Sequence, residues 1–186
     1  MTTLLVAAVL LFGSLLLASV PSIRTQRSIL GREGDAWSLR RSLRWSGSLF
    51  AGVPGPLLLA KFLVTVLAFG SEALFSADGS GMLAGVGVAW LVLPMALLVI
   101  GTSSLRLPAA AVDLQLDTRS VIRLADGCEW SLVPLGAGFA LALLVLLAGS
   151  AGAAMGRLEA LLLLPVGIAM LLWLSRRAAL RYRELA

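Results

Sequence analysis

The most distinctive polar pattern in the sequence lies inside the apolar stretch 57–77. Lys61, Thr65, Glu72 and Ser76, with Ala68 between them, recur at steps of three or four residues. On an α-helix these steps place the side chains along one face, with the two charges roughly 16 Å apart. Charges inside a membrane are costly when they face lipid. The stripe therefore predicts the wall of an ion or solute path, or else two charges that snorkel to opposite boundaries or bond a neighbouring helix.

A second group of charged residues lies in the segment 102–131. Apolar and polar residues alternate over 112–117, which is typical of a strand. Asp117 or Thr118 could then cap a short helix whose apolar face is formed by Val121, Leu124, Ala125 and Cys128. Such an amphipathic element predicts a docking site, although it could instead pack on the protein's own helices. The predicted docking residues are Asp113, Asp117, Arg119, Arg123 and Asp126.

The sequence offers few groups for catalysis. Histidine is absent and Cys128 is the single cysteine, which excludes a Ser-His-Asp triad, His-ligated haem and the usual zinc sites. We therefore predict no catalytic residues, no metal site and no cofactor. One enzymatic alternative stays open: a lipid- or isoprenoid-modifying enzyme in which arginines bind phosphate and Glu129 or Asp126 acts as base.

The composition indicates the solvent that these residues occupy. Hydrophobic residues make up 59% of the 186-residue chain, charged residues 13%, and the mean hydropathy is +0.97, whereas soluble domains are about one-quarter charged. The apolar residues fall into long runs, so the chain belongs in a lipid bilayer. Its net charge of +5 comes from arginines that flank those runs, which favours membrane topology over nucleic-acid binding.

The long apolar runs define the fold class. They predict an all-α, polytopic integral membrane protein in which residues 1–186 form a single membrane domain with five transmembrane helices. The predicted spans are 3–20, 57–77, 81–101, 132–151 and 158–174. The first could alternatively be a signal peptide, but no basic residue precedes it and the segment before Pro21 is a poor cleavage site.

The distribution of arginine predicts the orientation. With five spans, one side holds six arginines of segment 21–53, three of segment 102–131 and four of the C-terminal tail, thirteen in all, while the other side holds Arg157 alone. Cytosolic loops carry the basic excess, so the N-terminus lies outside and the C-terminus inside. Trp37, Trp45, Trp130 and Trp173 fall near the same boundary, where amphipathic rings prefer to lie.

The arginine-rich segment 21–53 has a helical pattern in its second half. Leu39, Leu43 and Phe50 project to one side of such a helix, while the arginines at 40, 41 and 44 gather on another. This pattern predicts a cytosolic amphipathic helix that lies on the membrane surface.

Small residues mark two places where helix backbones could approach closely. Gly81, Gly85 and Ala89 follow a four-residue spacing at the start of the third span, and Gly152 and Gly156 repeat the spacing after the fourth. Spacings of this kind are typical of helix packing in membranes.

Together these patterns predict a non-enzymatic subunit of a larger membrane assembly, in transport or export, in the bacterial cytoplasmic (inner) membrane. Its expected partners are the lipid bilayer and other membrane or cytosolic subunits, with no nucleic acid. The alternatives are a small homo-oligomeric channel or transporter built around Lys61 and Glu72, and the lipid- or isoprenoid-modifying enzyme.

Overall fold

The structure, a computed structural model, describes residues 2–32, 38–58, 80–114 and 116–186, and within these ranges the ordered elements are helical. Residues 54–58 are also helical. The elements with complete bounds are α1 (Thr2–Ile29), α2 (Leu39–Gly52), α3 (Ser80–Ser104), α4 (Arg106–Ala111), α5 (Thr118–Ala125), α6 (Glu129–Ala154), a 3₁₀ helix (Leu158–Leu162) and α7 (Leu163–Leu185).

Four of these helical stretches are long and apolar enough to cross a membrane. Among the described residues they are Thr2–Ile29, Val92–Ala111, Glu129–Ala154 and Leu158–Leu185. They correspond to the predicted spans 3–20, 81–101, 132–151 and 158–174. The remaining prediction, 57–77, lies almost entirely outside the described residues. The chain is therefore an all-helical protein with four candidate membrane-spanning helices.

The first helix is longer than the sequence indicated. α1 continues through Pro21 to Ile29, although the predicted span ended at Val20. Proline lacks the N–H that would bond the carbonyl four residues earlier, so one backbone hydrogen bond of the helix is missing at this point. In the next turn, the hydroxyl of Thr25 donates to the carbonyl of Pro21 (2.9 Å). At 28 residues the helix is about 42 Å long, which exceeds the roughly 30 Å of a hydrocarbon core. Its last turns therefore extend beyond that core.

The centre of the fold is α6, which contacts α1, α3 and α7. Its side chains Phe139 and Leu146 are fully buried, as are Leu15 of α1 and Leu171 of α7. Its outer side chains remain exposed, including Leu141, Leu144 and Leu147. A helix that is apolar on all sides and buried on only part of its surface suits a bundle surrounded by lipid.

α2 forms in the second half of segment 21–53, as predicted, and begins at an N-cap where the Ser38 hydroxyl accepts the Arg41 N–H (3.2 Å). Leu39, Leu43 and Phe50 are exposed together on one side. A different face, formed by Ser42, Trp45, Ser46 and Leu49, is buried. The helix therefore packs against the bundle through a face that the sequence pattern had not indicated.

α3 and α6 cross with their backbones in direct contact. A Cβ atom added at Gly136 would collide with the backbone oxygen of Leu97, and one at Gly101 would collide with that of Leu132. Only glycine leaves room for this approach, as in other close crossings of membrane helices. The crossing fixes the position of α3 on the central helix.

We expect Gly136→Ala to destabilise the fold by about 1–3 kcal/mol, because the added methyl group must push two backbones apart. Gly13→Ala in α1 is the matched control, since its added Cβ meets nothing within 4 Å. The midpoint of thermal unfolding in detergent measures both. A Gly136→Ala protein that unfolds at the same temperature as the Gly13→Ala protein would contradict the crossing.

Candidate functional site

A buried hydrogen-bonded junction joins three helices near the arginine-rich ends of the bundle. The Trp45 indole N–H of α2 donates to Gln26 Oε1 of α1 (3.1 Å), and Gln26 Nε2 donates to the backbone carbonyl of Ser175 in α7 (3.3 Å). Trp45 and Gln26 are both 0% exposed. Hydrogen bonds between helices are one of the forces that hold membrane bundles together. We call this contact the Gln26 junction.

Serine side chains surround the same three helices. The hydroxyl groups of Ser14 and Ser19 in α1 donate to carbonyls four and three residues earlier in the same helix. Four other hydroxyls are buried without a hydrogen-bond partner in the part of the chain that the structure describes: those of Ser22, Ser42, Ser46 and Ser175. These small side chains let the helices lie close together at the junction.

Beside the junction, arginines gather around one carboxylate. Arg41 holds Asp113 through Nη2 and Nε, at 2.7 and 2.8 Å from Oδ2, and Arg44 Nη1 lies 4.0 Å from Oδ1. Arg27 Nη1 donates to the carbonyl of Ala111 (3.2 Å). The hydrogen bond from Arg41 lowers the pKa of Asp113, and the charges of Arg41, Arg27 and Arg44 lower it further. We call these residues the arginine cluster.

Asp113 also has an unusual backbone. Its φ is +62°, a left-handed conformation that side chains rarely adopt and that Asp and Asn tolerate best. The left-handed backbone at Asp113 turns the chain after the end of α4 and directs it toward α5. The alternating residues at 112–116 predicted a strand, but this prediction is wrong for the described residues, which form a turn and an irregular link.

The predicted capped helix is confirmed as α5. The Ser120 N–H donates to Asp117 Oδ1 (2.8 Å) at the N-cap. Hydrogen bonding to the Ser120 side chain, and then to its N–H, lowers the pKa of Asp117. Of the predicted apolar face, Val121 and Ala125 are buried and Leu124 is half-buried. Cys128 lies beyond the helix, which ends at Ala125. The cap explains why the helix begins after Asp117, since it satisfies an otherwise unpaired N–H of the first turn.

The predicted docking residues divide into two groups. Asp113 and Asp117 are exposed, but each carboxylate is paired within the protein, one with Arg41 and the other as an N-cap. The remaining three are exposed and lie around Ile122, whose side chain is 62% exposed. The sequence analysis had not singled out Ile122. We call the surface formed by Arg119, Ile122, Arg123 and Asp126 the docking face.

The predicted packing residues lie in different environments. Gly81, Gly85 and Ala89 fall within α3. A Cβ at Gly152 would come within 2.5 Å of the Ala160 Cβ, so this glycine lies at a close contact. Gly156 has open space around it and a φ of +81°, so it serves the turn after α6 instead. The polar stripe of Lys61, Thr65, Glu72 and Ser76 lies outside the described residues.

The residues considered for catalysis do not converge. Cys128 is half-buried immediately before α6. Glu129 accepts the Gly127 N–H (3.2 Å) through Oε1, and Asp126 is exposed on the docking face. Across the described ranges, no three Cys, Asp or Glu side chains are grouped in a way that could hold a metal ion.

Sequence reasoning missed the Gln26 junction. It placed Trp45 at the membrane boundary, whereas the structure buries the ring completely. Trp130 and Trp173 are exposed, as rings at a boundary would be. The hydrophobic pattern carried no signal for this face, because two of its residues, Ser42 and Ser46, are polar.

No family model, curated protein or solved structure matches the chain. The class of the protein therefore follows from its own fold: an all-helical protein with four helices able to cross a membrane.

We expect Trp45→Phe to destabilise the protein by about 1–3 kcal/mol, because Gln26 Oε1 is left buried without a donor. The control is Trp173→Phe, which changes a ring that is 58% exposed. Thermal unfolding in detergent reports both. In addition, Gln26→Leu should lower the free energy of unfolding by less in the Trp45→Phe background than in the wild type. Strict additivity of the two changes would show that the side chains are not coupled.

We expect Asp113→Asn to lower stability at neutral pH by about 1 kcal/mol or less, the range for a partly exposed ion pair. Asn keeps the left-handed backbone and removes the charge. Because the folded pKa lies below the ordinary value of about 3.9, the stabilisation is complete above that pH and is lost as the pH falls through the folded pKa.

The unfolding midpoints of wild type and Asp113→Asn should therefore differ by a constant amount above about pH 5 and converge below about pH 4. Asp126→Asn, an exposed carboxylate on the docking face, is the control and should match the wild type at neutral pH. A gap that widens on acidification contradicts the assignment.

Proposed function

We propose that this chain is a non-enzymatic integral membrane subunit of a larger assembly of the transport or export class, and that it binds a partner subunit through the docking face. We further propose five membrane crossings with the N-terminus outside and the C-terminus in the cytosol, in a bacterial cytoplasmic membrane. α2 would then lie at the cytosolic surface as an amphipathic helix.

The docking face is the observation that carries this proposal. α5 buries Val121 and Ala125 against the protein and turns the opposite side outward. On that side an exposed isoleucine is bordered by two arginines and one carboxylate. An apolar centre with a charged rim is the usual arrangement of a protein interface. The excess of basic charge favours a partner surface that is acidic.

The contacts between helix ends support the proposed orientation. Gln26 near the end of α1 bonds Ser175 in the second half of α7, and Arg27 bonds Ala111 at the end of the span Val92–Ala111. Three arginine-rich chain segments therefore meet on one side of the bundle. The positive-inside rule assigns such a side to the cytosol.

The same contacts support a fifth crossing. α1 and the span Val92–Ala111 end on the same side of the bundle. α2, which follows α1, stays on that side, because its last residue, Gly52, lies beside Ser103 near the end of α3. A chain that runs in the same direction in two spans has to return across the bilayer between them. This requirement favours the predicted crossing at 57–77.

The proposal of a non-enzymatic role is supported by the chemistry of the side chains. The sequence contains no histidine, and Glu129 is engaged with the backbone of its own turn. The carboxylate that the structure does bring to the arginines, Asp113, is held in an ion pair. These observations favour binding over proton transfer.

To test the docking face, the full chain is purified in mild detergent from its native membrane as wild type, as Arg119→Glu/Arg123→Glu, and as Arg176→Glu/Arg183→Glu. The last variant reverses two exposed arginines on α7 and is the matched control. We expect a stoichiometric partner with wild type and control, and at least about tenfold less with the α5 variant, since charge reversal repels an acidic partner.

Two results would contradict this proposal. The first is equal recovery of partners by the two charge-reversal variants. The second is a wild-type chain that is monomeric and partner-free in mild detergent. Labelling by a membrane-impermeant maleimide, in a Cys128→Ala background, checks the orientation: Arg157→Cys should react from outside, and Arg119→Cys only after the cytosolic face is opened.

A further inference from the structure

An open cavity of about 330 Å³ lies beside the arginine cluster. It is formed where α2, α4 and the link between α4 and α5 meet. Its polar lining residues, two arginines and a serine, are called the polar wall, and the rest of the lining is alanine and leucine. The lining residues are Arg44, Ser48, Arg106, Ala110, Leu114 and Leu116.

The polar wall suits a phosphate group. Arg44 and Ser48 lie one helical turn apart on α2, so a guanidinium and a hydroxyl face the cavity from the same helix. Arg106 of α4 brings a second guanidinium from another direction. The planar guanidinium fork matches phosphate oxygens and binds them with two parallel hydrogen bonds.

The ion-pair geometry assigns different roles to neighbouring arginines. Arg41 makes the short contacts to Asp113, at 2.7 and 2.8 Å, while Arg44 lies 4.0 Å from the other carboxylate oxygen. The guanidinium of Arg44 is therefore at the outer limit of ion pairing with Asp113. It is also partly buried, with 33% of its side chain exposed, and a cation in such a place gains from a second anion.

The position of the cavity matches the depth of lipid headgroups. Arg106 and Ala110 belong to the last part of the candidate span Val92–Ala111, so the cavity lies where that span leaves the bilayer. Leu114, in the rest of the lining, is exposed. A volume near 300 Å³ is at the lower limit for small-molecule sites and suits a headgroup with part of its glycerol.

We propose that this cavity binds a phosphate group between Arg44 and Arg106, with Ser48 donating a third hydrogen bond. The phosphate group belongs either to the headgroup of an anionic phospholipid, whose carbon chain the leucines contact, or to a free phosphate, which uses only the arginines and Ser48. The site is separate from the docking face, so it can be correct even if the proposed subunit role fails.

The test follows thermal unfolding of the delipidated full chain in detergent, titrated with dihexanoyl phosphatidylglycerol, dihexanoyl phosphatidylcholine or inorganic phosphate. For the wild type, the anionic lipid should raise the midpoint saturably and more than the zwitterionic lipid. Arg44→Gln should weaken that response about tenfold, equivalent to the loss of one charge-assisted contact. The matched control, Arg119→Gln/Arg123→Gln, removes two exposed charges and should respond as the wild type does.

A second variant keeps the test independent of arginine removal. Ser48→Leu fills the cavity without changing the charge, and it should also abolish the response. If phosphatidylglycerol acts and inorganic phosphate does not, the ligand is a lipid headgroup; if inorganic phosphate alone acts, and Arg44→Gln weakens its effect, the site takes a soluble phosphate. The proposal is overturned if neither anion raises the unfolding midpoint of the wild type. It is also overturned if Arg44→Gln and Ser48→Leu both show the wild-type shift, or if the control loses as much of the shift as Arg44→Gln does.

Discussion

Lipid tails offer no hydrogen bonds, so every backbone group inside a bilayer must be satisfied within the chain, and helices are the simplest solution for a protein of this size. The same tails are as apolar as leucine, so burial of leucine alone gives little force to bring helices together. Close backbone contact and buried hydrogen bonds have to supply it. The crossing at Gly101 and Gly136 provides the first, and the Gln26 junction provides the second.

The position of the Gln26 junction explains where the polar contacts between helices lie. The Gln26 junction links the last turns of α1 to α2 and to the middle of α7, and the arginine cluster lies beside it. Hydrogen bonds to Ala111 and Asp113 draw α4 into the same region. The basic side chains therefore take part in joining helix ends. In the described part of the chain, the arginine-rich side of the bundle therefore also holds the Gln26 junction and the arginine cluster.

The sequence predicted the four candidate membrane-spanning helices, because each is a run of apolar residues long enough to be recognised without knowledge of its neighbours. It also predicted α5 and its cap, since capping depends on a few adjacent residues. The pairings of Gln26 with Trp45 and of Arg41 with Asp113 join residues that are 19 and 72 positions apart. Such pairings depend on how helices pack, and periodicity within one segment does not contain that information.

α2 shows why its buried face was missed. Its most apolar side, with Leu39, Leu43 and Phe50, faces outward, while the buried side is rich in serine. In a soluble protein the apolar side of such a helix would face the core. Here the hydrophobic pattern predicts only that this side faces the membrane surface, and it does not indicate which side packs against other helices. Next to a bilayer, the apolar side can be solvated by lipid, so the side with small residues is free to pack closely. Serine lets α2 approach α1, and Trp45 supplies the hydrogen bond that the junction needs.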